Sequence, residues 1–170
     1  ETRDIAGLTS AQIAGLSSDQ VGQLLTSQLA QFSSNHFRAI EPRAIAGMPS
    51  PTLAPYTTRF RSGLTSGQIA ALSSGQLAQL KVSSLSSGQL GAVSTSIIAG
   101  LSTAEIAAFT SANIGGLQPA QVGQFTSNQL QAIETRDIAG LTSAQIAGLS
   151  TDQVGQLLTS QLAQFSSNQL

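Results

Sequence analysis

Residues 5–20 read IAGLTSAQ IAGLSSDQ, two eight-residue units that differ only at their fifth and seventh positions. The same frame continues through VGQLLTSQ and LAQFSSNH and runs on to Gln76, nine octads in all. A five-residue unit, Leu77–Lys81, interrupts it, and eleven further octads follow from Val82 to Gln169. The columns of these twenty octads are regular. Position 4 is apolar in all twenty, Tyr56 included, and position 1 in nineteen, with Arg61 the exception. Position 2 is usually Ala or Gly, position 5 is Ser or Thr in fourteen, and position 8 is Gln in twelve.

Apolar residues three apart share one side of a helix but fall on opposite faces of a strand, so positions 1 and 4 predict helix. One continuous helix is excluded by arithmetic. Eight residues at ~100° each overshoot two turns by ~80°, so the apolar stripe would wind around the axis and never form one buried face. The helix must restart in every octad, and the restart signal is present. Ser or Thr at position 5 followed three residues later by Gln, as in Thr9–Gln12, is the capping-box pattern. Pro42 and Pro119 both fall at position 6, the first helical residue of this frame, where proline is best tolerated.

Each helix then covers about seven residues and ~10 Å, too short to persist alone in water. Stability must come from stacking successive turns, with positions 1 and 4 as the core and small residues at positions 2 and 3 allowing close approach. This is the logic of a solenoid. The sequence predicts an all-α solenoid of about twenty very short capped helices, one per octad. Residues 1–170 read as one array with a shortened repeat at 77–81 and a degenerate stretch at 49–63. A superperiod of forty residues, IAGL at Ile5 matched by IAGM at Ile45, suggests five octads per superhelical turn. The short unit ending at Lys81 should break the register locally or force a compensating bend. Residues 1–37 recur at 134–170 with three differences, Ser18/Thr151, His36/Gln169 and Phe37/Leu170.

The composition is 41% apolar and 9% charged, with a net charge of -1, no Cys and one His. That is too apolar and too sparsely charged for a disordered chain. It has no electrostatic footprint for nucleic acid or anionic membrane, and its apolar runs are far short of a spanning helix. Without Cys there are no disulfides, thiolate metal sites or cysteine nucleophiles.

The candidate chemistry is thin. His36 is the sole imidazole and, as a polar residue at position 8, stands in for Gln. Asp19 and Asp152 occupy equivalent position-7 sites, where an acid suits the start of a helix. The charged clusters Glu1–Asp4, Glu41–Ala44 and Glu134–Asp137 read as variant cap segments with Glu at the cap. Tyr56, Arg59, Phe60 and Arg61 form a basic-aromatic cluster of the kind that stacks nucleobases, but on a chain of net charge -1. No phosphate-binding glycine loop and no Ser/His/Asp set occurs. No catalytic, cofactor-binding or metal-binding residue is therefore predicted, and no enzymatic activity. Stacked turns would align the Ser/Thr and Gln columns as polar ladders along the outside.

The octad pattern, through IAGLTSAQ and VGQLLTSQ, resembles tracts found in very large bacterial proteins of the haem-utilisation and adhesion type. The resemblance covers essentially the whole chain and carries no haem-ligand pattern with it. It implies a structural role, a spacer or stalk in a secreted or surface-displayed protein, with end-to-end stacking on itself through the matching termini. A module binding a ligand or protein through a groove or polar ladder is the competing reading. Separately, TLAPYTTRFRS at Thr52–Ser62 resembles TLFPYTTLFRS, the in-frame translation of a sequencing adapter, with Ala54 and Arg59 as the two departures. This second resemblance implies that adapter sequence entered the parent gene assembly.

Overall fold

The computed structural model describes residue 5, residues 7–48 and residues 57–169, with side chains of the helix at 57–63 described from Phe60 onward. Among the described residues there are seventeen α-helices of four to seven residues and no strand. The chain divides into two compact units, Glu1–Lys81 and Val82–Leu170. The first holds α1 (Ser10–Ala14), α2 (Ser18–Gly22), α3 (Thr26–Leu29), α4 (Ser34–Ala39), α5 (Pro42–Ile45), α6 (Thr57–Gly63), α7 (Ser66–Ala71) and α8 (Ser74–Leu80). The second holds α9 (Ser87–Leu90), α10 (Thr95–Ala99), α11 (Thr103–Ala107), α12 (Pro119–Val122), α13 (Ser127–Ala132), α14 (Thr135–Ile138), α15 (Ser143–Ala147), α16 (Thr151–Gly155) and α17 (Thr159–Leu162). Short 3₁₀ turns lie at Val82–Ser84 and Ile114–Gly116.

The helices begin where the capping chemistry predicts. Thr9 Oγ1 accepts from the Gln12 N–H at 3.3 Å, while Gln12 Oε1 accepts from the Thr9 N–H at 2.8 Å. Ser17, Thr65, Ser73, Ser102, Thr126, Thr142 and Ser150 repeat the same reciprocal box. Pro42 and Pro119 open α5 and α12. Where position 5 is leucine only half the box survives. The N–H of Leu25 still donates to Gln28 Oε1 at 2.8 Å, and that of Leu158 to Gln161 Oε1 at 3.0 Å.

In each unit the helices pack on partners three octads away, not five. In the first, α1 packs on α4, α2 on α5, α4 on α6 and α5 on α7. In the second, α9 packs on the Ile114–Gly116 turn, α10 on α12, α11 on α13, α12 on α15 and α14 on α17. The forty-residue superperiod is therefore a likeness between octads and not the period of a turn. The reason is volume. Two side chains per octad fill the space inside three ~10 Å edges at native density, whereas a ring of five would enclose a void that they could not fill.

The core is made of positions 1 and 4. Ile13, Phe32, Phe37, Ile45, Ile69 and Leu72 are buried in the first unit, and Leu90, Ile98, Ile106, Phe109, Ile114 and Leu130 in the second. Each such side chain contributes about 1.5–3 kcal/mol by leaving water. Small residues let the backbones of successive turns nearly touch. A Cβ on Gly116 would lie 2.2 Å from the Ser87 carbonyl oxygen, and one on Gly140 2.6 Å from that of Ser111. These glycines have ordinary negative φ, so close approach and not turn geometry is what requires them.

The five-residue unit does break the register. Three residues short, it is drawn into α8, which runs on through Leu80, and the chain leaves at Lys81 with φ 51° and ψ 91°. Lys81 is the only described non-glycine residue with positive φ, and the boundary between the units falls immediately after it.

Gly116→Ala is expected to lower stability by about 3 kcal/mol through overpacking against Ser87. Gly88→Ala, whose added Cβ meets nothing within 4 Å inside a helix, should instead raise it by ~0.5–1 kcal/mol. Urea unfolding followed by circular dichroism would read both, and equal effects would refute the close-approach role.

Candidate functional site

The densest polar chemistry lies in the position-8 column. A capping Gln uses Oε1 within its own octad, and its amide nitrogen then faces the turn before. Gln68 Nε2 donates to the carbonyls of Phe37 at 2.8 Å and Ile40 at 2.5 Å. Gln76 Nε2 donates to Ile45 at 3.1 Å and Met48 at 2.7 Å. In the second unit Gln145 reaches Ile114 and Leu117 at 2.9 and 2.7 Å. Gln161 reaches Leu130 and Ile133 at 2.9 and 2.8 Å. The acceptors are positions 1 and 4 of an octad one turn back; the position-1 carbonyl also accepts from the position-4 N–H of its own octad, as Phe37 does from Ile40, and the position-4 carbonyl lies just past the helix end. One side chain thus caps the start of its own helix and the end of another.

This corrects the expectation of an outward glutamine ladder. Gln68, Gln76, Gln121, Gln129, Gln145 and Gln161 are buried, because their acceptors lie between turns. The Ser/Thr column is the exposed one, as at Thr65, Ser102, Thr126 and Thr142. The capping box accepts Glu or Gln equally, yet Glu occurs at position 8 once and Gln twelve times. That bias is the signal in the sequence for a donor requirement, since a carboxylate cannot donate.

Departures from Gln follow the same rule. Asn113, one methylene shorter, still donates to the carbonyls of Ser83 and Leu85 at 2.5 and 3.3 Å. Asp137, an acceptor only, takes the orphan N–H of Ser111 at 2.7 Å instead of a carbonyl. Its other oxygen meets Arg136, which also pairs with Glu134 at 2.7 Å. Glu134 is the N-cap residue, as predicted for the charged segments, although its side chain makes no capping bond. The matching segment Glu1–Asp4 lies outside the described residues. Glu105 is exposed and serves only as a cap. Its carboxylate, 2.7 Å from Ser102 Oγ and 2.8 Å from the Ser102 N–H, is held below the usual glutamate value of 4.5 by those two bonds.

The remaining candidates do not converge. His36, at position 8 of its octad and within α4, is edge-on to Phe32 with ring centroids 5.6 Å apart, and its buried Nδ1 has no hydrogen-bond partner among the described residues. Asp19 and Asp152 are exposed first-turn residues of α2 and α16, in different units. Phe60 is fully buried, its ring centroid 5.1 Å from that of Phe37, so it presents no face for a stacking base. Ala54 and Tyr56 lie outside the described residues, as does the side chain of Arg59. Among the described residues no group of three or more His, Cys, Asp or Glu could hold a metal ion.

The ALTTAQ repeat family matches residues 1–34, 82–119 and 130–167. Its six letters correspond to positions 3 to 8 of the octad, as in GLTSAQ at Gly7–Gln12. No curated protein matches the chain.

Gln145→Glu keeps the cap acceptor but sets a carboxylate against two carbonyls, and a loss of about 3–5 kcal/mol is expected at pH 7. Acidification restores a donor on protonation and should recover part of that loss. The same change at Gln12, which has the same octad sequence but no cross-turn bond among the described residues, should stay within ~0.5 kcal/mol. Denaturant titrations of the two variants at pH 7 and pH 4 test this, and equal losses would exclude the cross-turn role. For Glu105 the folded carboxyl is the stronger acid, so its contribution is present above the unfolded value and lost as pH falls through the lowered folded one. Glu105→Gln should therefore reduce the acid sensitivity of unfolding between pH 5 and pH 3.

Proposed function

The chain belongs to the ALTTAQ repeat family, and from that premise we propose that it is a spacer or stalk segment of a large bacterial protein that is secreted or displayed at the cell surface. The observation that carries this reading is how its polar groups are used. The buried glutamine amides bind backbone carbonyls of neighbouring turns, and the serine and threonine hydroxyls bind backbone N–H groups of their own helices. Chemistry directed at its own backbone serves length and stiffness. The reading assigns the segment no catalytic activity. No helix among the described residues is long and apolar enough to cross a membrane. The likeness of its octads to tracts in haem-utilisation and adhesion-type proteins supports the surface location. Its partner in this role is a turn of its own kind, including turns of a second copy stacked end to end.

A spacer tolerates changes of length in whole turns. A second copy of Val122–Gln145, three octads, inserted after Gln145 is expected to preserve the helical circular dichroism and raise the denaturation midpoint. Loss of folding on that insertion would sink the reading. Saturable binding of a glycan or peptide to the exposed Ser/Thr column would instead favour the binding-module alternative.

A further inference from the structure

Each seam between successive turns carries its own position-8 side chains, so the ties can be compared seam by seam. In the first unit Gln68 and Gln76 tie octads 61–68 and 69–76 back to octads 37–44 and 45–52, through the position-4 carbonyls of Ile40 and Met48. In the second unit every position-8 residue from Asn113 to Gln169 except Asp137 donates to the position-4 carbonyl 28 residues before it. Asp137 makes its tie the other way, by accepting from the Ser111 N–H.

The seam that joins residues 5–28 to residues 29–52 has His36, Ala44 and Thr52 at position 8, and none of them carries an amide. The His36 ring meets Phe32 of its own octad, and no bond from it to the turn before is present among the described residues. Ala44 has no side-chain donor, and Thr52 lies outside the described residues. No described group donates to the position-4 carbonyls of Leu8 and Leu16. Proximity is not what is missing. A Cβ on Gly22 would lie 3.0 Å from the Gly47 oxygen across this seam, the same distance as from Gly123 to Gly148 across a tied one. The seam is held by packing of α1 on α4 and α2 on α5, with the Ser18 hydroxyl donating to the Arg43 carbonyl at 3.2 Å. The chain contains its own control. Octad 162–169 repeats octad 29–36 in all but the last residue, Gln169 for His36, and the octads they face, 138–145 and 5–12, are identical. Gln169 donates to the carbonyls of Ala139 and Leu141 at 3.2 and 2.5 Å, and with His36 that tie is absent.

We propose that this seam is a built-in release point, at which the first unit parts before its later seam, tied by Gln68 and Gln76, gives way. The inference follows from the residues at 36, 44 and 52 and is the same whatever precedes residue 5. At a tied seam each glutamine must give up two carbonyls before the turn can leave. At His36 and Ala44 parting breaks apolar contact and the Ser18 bond, so a sub-global opening that leaves the rest of the unit folded is the easier one. In a spacer such a seam decides where the array lengthens first under load. That use alone rests on the reading proposed above.

Native-state hydrogen exchange of the full chain, read amide by amide, tests this with a reciprocal swap. In the unaltered chain the Leu8 and Ile13 amides, which close onto Ile5 and Thr9, should exchange faster than those of Ile45 and Leu72. His36→Gln installs the tie that Gln169 makes and should slow exchange at Leu8 and Ile13 ~10-fold or more, although neither residue is near position 36 in sequence. Gln169→His removes that tie and should speed exchange at Phe165, which closes onto Leu162, by a similar factor. Circular dichroism confirms that each variant is folded, and either variant alone carries the test. Fraying of a chain end would be indifferent to both swaps, so unchanged rates at Leu8, Ile13 and Phe165 overturn the proposal. A single rate shared by Leu8, Ile13, Ile45 and Leu72 overturns it as well, since the unit would then open as a whole. The three-octad insertion reads the spacer role separately, and neither result decides the other.

Discussion

A helix of four to seven residues leaves nearly all of its backbone groups without helical partners, and the structure depends on how those groups are satisfied. Backbone bonds close each turn, and the position-8 glutamine adds bonds at both ends of the helices. Its carbonyl takes the cap N–H of its own octad, and its amide gives two protons to helix ends in the turn before, as Gln76 does for Ile45 and Met48. Buried carbonyls left unpaired would cost about 1–3 kcal/mol each. The apolar layers of positions 1 and 4 supply the driving force. The glutamines set the spacing at which that force can be used, because their amides reach only one helix end at one rise.

From that constraint the identity of each position-8 residue acquires a meaning. A side chain that donates and accepts ties turn to turn, as Gln68 and, with a shorter reach, Asn113 do. A carboxylate redirects the bond to an N–H, as Asp137 does with Ser111, or stays at the surface as a plain cap, as Glu105 does. An aromatic ring replaces the polar link with packing, as Phe60 does against Phe37. His36 makes the aromatic contact with Phe32, and its Nδ1 has no partner among the described residues. The variation along the column is thus a variation in how turns are joined, and this is the physical ground for reading the segment as structural.

Close approach is the second half of the same constraint. The amide of Gln145 spans to Ile114 and Leu117 only because Gly115 and Gly140 allow their backbones to meet. A Cβ on Gly115 would lie 2.8 Å from the Gly140 oxygen. Where the frame is shortened the eight-residue spacing is lost. The chain instead takes the positive φ of Lys81 and starts a second unit.

Local chemistry was legible from the residues alone. Short helices, their starts at Ser or Thr, the two prolines at first helical positions and the apolar columns all follow from interactions within about eight residues, and the structure has them. The adapter-like stretch reads in the sequence as the most degenerate part of the array, yet Phe60 within it and Leu64 just after it are buried like any core residue. What the sequence did not disclose was which octads face each other. A likeness between octads forty residues apart suggested five per turn, but octads resemble one another for capping and burial reasons that every octad shares. Only the folded chain decided on three per turn, because that number depends on the volume enclosed and on bonds spanning 28 to 31 residues. The same bonds turned the glutamines from an expected outer ladder into an inner one. The residues determined what each octad is; packing and the geometry of the amide decided what each octad touches.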